Sequence, residues 1–192
     1  MLELSHIFAE FPTLETERCI MRPFTPADAP AFFEIMRHEQ VTRYIGQKPM
    51  ASVEDAVARL ERFQRNYEQQ EGLVWAVTLR NGGQLIGNVL FWNLMPAHYR
   101  AEVGYVLGPE YWGQGLMTEI LRVVLDFGFN TMGLHSIEAQ TDPDNAASRR
   151  VLEKQGFVLE GHYHENYYDI TRDRFTDTTV FSLLVQNWNG RS

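Results

Sequence analysis

The sequence predicts one α/β (α+β) domain built on a mixed, mostly antiparallel sheet. Three observations point there. Asn81-Gly82-Gly83 joins two apolar runs, and a third strand follows at once, as in an antiparallel meander. Beyond residue 115 the pattern becomes helix, strand, helix, strand. The 192 residues contain no repeat, no low-complexity tract and no Pro/Gly/Ser linker, so one domain is expected over residues 10–188 after a short lead.

The elements follow in order. Residues 17–24 (ERCIMRPF) read as a first strand, stopped by Pro26. Residues 27–38 read as a helix with Phe32, Ile35 and Met36 as its apolar stripe. Residues 43–50 form a loop holding Gly46 and Pro49. Ser52 is placed to cap the next helix, and Asp55 completes a capping box with a shorter acid. Val53, Val57, Leu60, Phe63 and Tyr67 then recur at helical spacing. The meander strands are 73–79, 84–92 and 100–107. Residues 116–129 carry Ile120, Val123, Val124 and Phe127 on one helical face. Residues 135–141 alternate like a strand, and Asp142-Pro143-Asp144-Asn145 is a turn. Residues 146–154 form a short helix stopped by Gly156. Residues 157–168 and 174–184 make a last strand pair. The sum is about seven strands and about four helices.

Composition removes several functions. Lys plus Arg is 17 and Asp plus Glu is 25, a net charge of −8, which argues against a nucleic-acid partner. The same negative potential would steer a cationic substrate inward. One cysteine, Cys19, excludes a disulfide framework and a multi-cysteine metal site, and it reads as a buried strand residue. The start, MLELSHIFAEFPTLETER, has early acids and no apolar run of signal length. No window reaches the roughly 20 apolar residues of a membrane span. A soluble cytoplasmic protein with no membrane partner is expected.

Two segments carry candidate chemistry. At residues 107–118, LGPEYWGQGLMT joins a strand to a long helix. Glycines there expose successive backbone N–H groups at a helix N-terminus, where phosphate oxygens bind. The same glycines also fit a plain tight connection. The turn is neither a Walker A loop nor a G-x-G-x-x-G fingerprint. At residues 144–157, DNAASRRVLEKQGF opens a second helix after a second strand. Asn145 is suited to cap it, and Ser148 falls about one turn in on the same face.

The segments LETERCIMRPFTPADAPAFFEI, AEVGYVLGPEYWGQGLMTEI and NAASRRVLEKQGFVLEG, in this order and separation, strongly resemble the GNAT acyltransferase superfamily. More narrowly they resemble its RimJ/RimL-like branch, the ribosomal-protein N-terminal acetyltransferases and their relatives. The resemblance spans nearly the whole chain. It implies a GNAT fold with a sheet splayed in the middle, acetyl-CoA as co-substrate, no metal, and a monomer or homodimer. It places the main chain of Trp112, Gly113, Gln114, Gly115, Leu116, Met117 and Thr118 on the CoA pyrophosphate. It places Tyr105, Val106 and Leu107 along the pantetheine arm, with Asn145 on the pantetheine side. Trp112 departs from the superfamily's Gln or Arg, and Met117 from its small residue. The implied contact uses main-chain atoms, so binding is expected to survive. The tyrosine acid that many members carry seven residues after the asparagine is replaced by Leu152. Ser148 is the nearest hydroxyl, and the branch often has a serine there.

The implied reaction is acyl transfer from a thioester to an amine. An α-amine has a pKa of about 7.7–8.0 and lysine about 10.4, so a peptide N-terminus is the easier acceptor. Glu102, flanked by Ala101 and Val103, is the first choice for base, since burial would raise its pKa. An outward-facing strand carboxylate is the competing reading. The backbone at Val106 is a candidate oxyanion donor, and Ser148 could protonate the departing thiolate. Tyr44, Phe91, Trp92, Asn93, Tyr167 and Tyr168 fall in regions that line the acceptor groove in the family, with core packing as the alternative. His98, His162 and His164 read as surface or sheet-packing residues. The last two lie two apart on one face, but the sequence shows no third ligand.

The acceptor expected is the N-terminal α-amine of a protein or peptide. A small amine (polyamine, amino acid or aminoglycoside) is the alternative. A non-catalytic CoA-binding module ranks third, on the strength of Leu152.

Overall fold

The computed structural model describes residues 2–189. The chain begins with a short helix α1 (Ser5–Ala9) and strands β1 (Leu14–Glu15) and β2 (Cys19–Pro23). Helices α2 (Ala29–Met36), α3 (Glu39–Thr42) and α4 (Val53–Glu68) follow. The meander is β3 (Leu73–Leu79), β4 (Leu85–Met95) and β5 (Arg100–Leu107). Then come α5 (Leu116–Asp126), β6 (Ser136–Thr141), α6 (Ala146–Gln155), β7 (Val158–Asp169), β8 (Arg174–Leu184) and α7 (Val185–Asn189).

Eight strands form one sheet in the order β1-β2-β3-β4-β5-β6-β8-β7. Neighbours are antiparallel except β5 and β6, which run parallel. That parallel pairing lasts three positions, ending at Glu102↔Glu138. From Val103 to Leu107, β5 stays paired with β4 alone. The sheet therefore opens at Glu102, and the splayed middle is present.

Helices cover both faces. On one side Trp75, Phe91, Ile120, Leu121, Leu125, Phe127, Ile137 and Phe181 make the larger core. On the other, Phe32, Ile35, Met36, Ala56 and Leu60 pack with Ala76 and Leu85. Coverage on both faces explains why β3 is buried from Leu73 to Thr78 and reads as a continuous apolar run. Trp75 packs edge-on against Phe91 and Phe127, at 6.1 and 5.8 Å between centroids, and its indole N–H donates to the Pro12 carbonyl at 2.8 Å.

Boundaries follow local signals closely. Ser52 and Asp55 form the expected capping box at α4. Gly156 ends α6 at φ +87°, a left-handed stop that glycine adopts without cost. Three differences have physical causes. The extra strand β1 has two residues, and α1, α3 and α7 have four or five, too few to show a period. The α4 stripe runs through Val53, Ala56, Leu60 and Phe63, while Val57 is 41% exposed; alanine is a weak apolar signal, so its place in the stripe is easily missed. The β4 strand runs on to Met95 through a bulge between Trp92 and Met95, with Asn93 at φ +47°. No helix among the described residues is long and apolar enough to cross a membrane.

Candidate active site

Where β5 leaves β6, a cavity of about 360 Å³ opens. Glu102 and Tyr105 reach it from β5, and Asn145 and Ser148 from the start of α6. Trp92, opposite Glu102 in the β4–β5 register and 48% exposed, lines it from β4. Tyr44 and Gly46 contribute from the loop after α3, and Tyr167 and Asp177 from the β7–β8 hairpin.

Glu102 is 4% exposed, so it is not an outward-facing carboxylate. Its Oε2 atom is buried and has no hydrogen-bond partner. Burial pushes the carboxyl up to about 7. A hydrogen bond from the Asn93 side chain pulls it back, the Glu138 carboxylate adds to the rise, and the Arg100 guanidinium opposes it. Glu138 itself is paired with Arg100 at 2.9 Å. The site thus holds a carboxyl that gives up its proton near neutrality and has an oxygen free to accept another.

The second feature is a pair of hydroxyls. The Tyr105 and Ser148 hydroxyl oxygens are 2.8 Å apart, and the Tyr105 O–H also reaches the Ser148 carbonyl at 3.3 Å. Burial pushes the Tyr105 phenol up to about 12, opposed by the Ser148 contact, so it stays a neutral proton donor at working pH. Ser148 is fixed by the helix it begins: the Asn145 side chain accepts its backbone N–H at 3.1 Å as the N-cap. Leu152, at the place of the missing tyrosine, is fully buried in the core.

The glycine turn forms the third feature. Gly113 and Gly115 have φ of +74° and +77°, and Gly115 is the N-cap of α5 with no side chain capping the helix. The first-turn N–H groups are therefore left for a ligand. Leu116 and Met117 turn their side chains into the core, so a larger residue at Met117 leaves the outer surface of the turn to main chain. Trp112 braces the turn by donating its indole N–H to the Leu107 carbonyl at 2.8 Å. The Thr118 carbonyl accepts from Gln155 at 2.7 Å, tying α5 to α6. Val106 packs against the α2–α4 core, and Leu107 is buried in the larger one.

Three residues expected at the acceptor groove lie elsewhere. Phe91 is 0% exposed and packs on Trp75, because its face of β4 is covered by helices. Asn93 lies beside Glu102 rather than along the cavity wall. Tyr168 is exposed outside the cavity, bonds to Asp173 and packs on Phe175, while its neighbour Tyr167 lines the cavity. Adjacent strand residues face opposite sides, so only one of that pair can enter. His98 is exposed in the short turn before β5. Cys19 is buried as expected, and burial pushes its thiol up.

The fold also recruits residues with no local signal. Arg18 donates to the Gln114 carbonyl at 3.0 Å and pairs with Glu119 at 2.7 Å, placing a guanidinium against the glycine turn. Tyr167 donates to the Gly46 carbonyl at 3.0 Å. A Cβ on Gly46 would clash with the Tyr167 hydroxyl, so only glycine permits this approach. Arg172 bonds Asp142 at 2.8 Å and the Arg43 carbonyl at 3.2 Å, and its guanidinium lies 5.2 Å from the Tyr44 ring centroid. These contacts pin the hairpin tip to the loop across the cavity.

Comparison with known proteins gives a consistent result. A family model described as an acetyltransferase (GNAT) domain matches residues 18–158. The uncharacterized N-acetyltransferase YoaA of Bacillus subtilis is 38% identical over 174 residues, covering 91% of this chain and 97% of that protein. The spermidine N(1)-acetyltransferase of Escherichia coli is 24% identical over 148 residues, 77% of each chain. Among solved structures, Mycobacterium smegmatis RimJ in complex with CoA-disulfide superposes with a TM-score of 0.82 at 23% identity, covering 91% of this chain and 88% of that one.

Proposed function

The chain belongs to the GNAT acetyltransferase family, and from that premise we propose that it is a RimJ-like member that acetylates the N-terminal α-amine of a protein or peptide with acetyl-CoA. The observation that carries this reading is Glu102: a buried carboxyl raised to about 7 with an unpartnered oxygen, in the same cavity as the Tyr105–Ser148 hydroxyls. A base of that strength matches an α-amine of pKa about 7.7–8.0 far better than a lysine of about 10.4.

Acetyl-CoA supplies the acetyl thioester. The uncapped start of α5 fits its pyrophosphate, through the amides of Gly113 to Thr118 and the positive end of the helix dipole. The free stretch of β5 from Tyr105 to Leu107 fits the pantetheine arm, beside Asn145. Glu102 takes the proton from the incoming amine. Ser148, backed by the Tyr105 phenol, gives a proton to the departing sulfur. Tyr44, Trp92 and Tyr167 shape the acceptor end. The setting proposed is the cytoplasm.

A second reading, a small polyamine acceptor, is favoured by Asp177 and Glu102 lining one cavity and by the spermidine-acetylating relative. An acceptor panel separates the two. Peptides with N-terminal Ala or Ser, and spermidine, are each incubated with acetyl-CoA and followed by mass spectrometry. Acetylated peptide N-termini support the proposal; transfer to spermidine with none to any peptide overturns it.

A further inference from the structure

The β7–β8 hairpin holds a cluster to which the proposed peptide acetylation assigns no role. His162 and His164 share one face of β7, and their rings stack at 4.4 Å between centroids. The sequence gives this pair no third ligand, but the fold supplies one from β8. Asp177 Oδ2 lies 2.7 Å from His162 Nε2 and 3.2 Å from His164 Nδ1. The three ligand atoms all lie within 4.8 Å of one another.

The local backbone is shaped around that carboxylate. Between the pairs Tyr163↔Thr178 and Tyr167↔Thr176, Asp177 alone faces residues 164–166 of β7. This bulge turns Glu165 to φ +47° and aims its N–H at Asp177 Oδ1, at 2.9 Å. One oxygen is thereby fixed, and the other points between the two imidazoles.

We propose that His162, His164 and Asp177 bind one divalent transition-metal cation of the zinc class. Two imidazole nitrogens and one carboxylate oxygen are a donor set that zinc accepts in three-ligand sites with an open position. Magnesium and calcium prefer oxygen ligands alone. Ligands about 2.0 Å from zinc stand roughly 3.3 Å apart in a tetrahedron, so the two carboxylate–imidazole separations need a small widening to seat the ion, and the two imidazole nitrogens lie within 4.8 Å of each other. The Glu165 amide orients the carboxylate as supporting hydrogen bonds do in metal sites. The imidazoles reach solvent, and Asp177 also lines the cavity, so the ion would enter from outside and stand beside the acceptor end.

Calorimetric titration of tag-free protein with zinc chloride tests this, using wild type, His164→Ala and Asp177→Asn. Circular dichroism verifies that each variant is folded. One ion per chain with micromolar or tighter affinity is expected, weakened at least about 10-fold in either variant. Cobalt(II) should give the visible absorption of a four-coordinate site in wild type only. No saturable binding at millimolar zinc, or equal binding in all three proteins, overturns the proposal and leaves the cluster as a hydrogen-bonded one. The readout is binding, so the result is independent of which amine is acetylated.

Discussion

The Tyr105 and Ser148 hydroxyls meet at 2.8 Å from elements 43 residues apart in the chain. Ser148 comes from the first turn of α6 and Tyr105 from the stretch of β5 that β6 leaves free. The pair supplies a phenol to the site although the family's usual tyrosine position is an inert core leucine, Leu152.

If Tyr105 acts through Ser148, the two substitutions should not add. Ser148→Ala should lower kcat by about 10²-fold or more, within the range for a lost proton donor, with little change in acetyl-CoA affinity. Tyr105→Phe should cost less, and the double variant should match Ser148→Ala alone. Steady-state kinetics on all three variants decide it; additive losses would give Tyr105 an independent role.

If Glu102 is the base, it sets the pH dependence. A base must be deprotonated to work, so kcat/KM should rise as pH passes through about 7 and level off above it. Glu102→Gln should lower turnover by roughly 10²–10⁴-fold and remove that rise, while acetyl-CoA still binds. An unchanged rate would remove Glu102 from the chemistry.

The same carboxyl links to stability. Its folded pKa is raised above the ordinary 4.5, so the folded state holds the proton longer than the unfolded chain. The resulting stabilisation is complete below about 4.5 and is lost as pH rises through about 7. In urea melts, wild type should therefore lose stability relative to Glu102→Gln as pH is raised through about 7. Parallel curves for the two proteins would contradict the raised pKa.

Gly46→Ala places a Cβ against the Tyr167 hydroxyl at a φ of +63°. It should cost about 1 kcal/mol or more of stability and release the hairpin from the loop. KM for the acceptor should rise while the dissociation constant for acetyl-CoA stays fixed, because the glycine turn of α5 is untouched. A change confined to acetyl-CoA affinity would mean the strap serves the donor side instead.

Gly115→Ala tests the donor side. Alanine at φ +77° is strained by roughly 1–2 kcal/mol, and relief of that strain would turn the amides away from a phosphate. Acetyl-CoA should bind at least about 5-fold more weakly by calorimetry, the lower end of that energy expressed as an affinity. Unchanged affinity would move the pyrophosphate away from this turn.

Elements governed by short-range chemistry are legible along the chain. Ser52 and Asp55 cap α4, Gly156 stops α6, and Asn81-Gly82-Gly83 turns the meander, each through contacts within a few residues. The glycine turn and Asn145 could also be named in advance, because a helix start advertises itself locally. Phe91 and Trp92 mark the limit. Alternation puts them on opposite faces of β4, but only the packing of the helices decides which face is covered.

Taken alone, the sequence determined the order and type of the main elements, the family, and the two segments at the splay, because each rests on neighbours in the chain. Tertiary structure decided the rest. It buried Glu102 with one oxygen unpartnered, set Tyr105 against Ser148, brought Arg18 to the glycine turn, locked Tyr167 onto Gly46, and gave His162 and His164 a carboxylate. Each of these joins different strands, loops or helices, so it depends on sheet order, register and one bulge. Hydrophobic periodicity encodes none of those three: it says that a face is buried, and not what is packed against it.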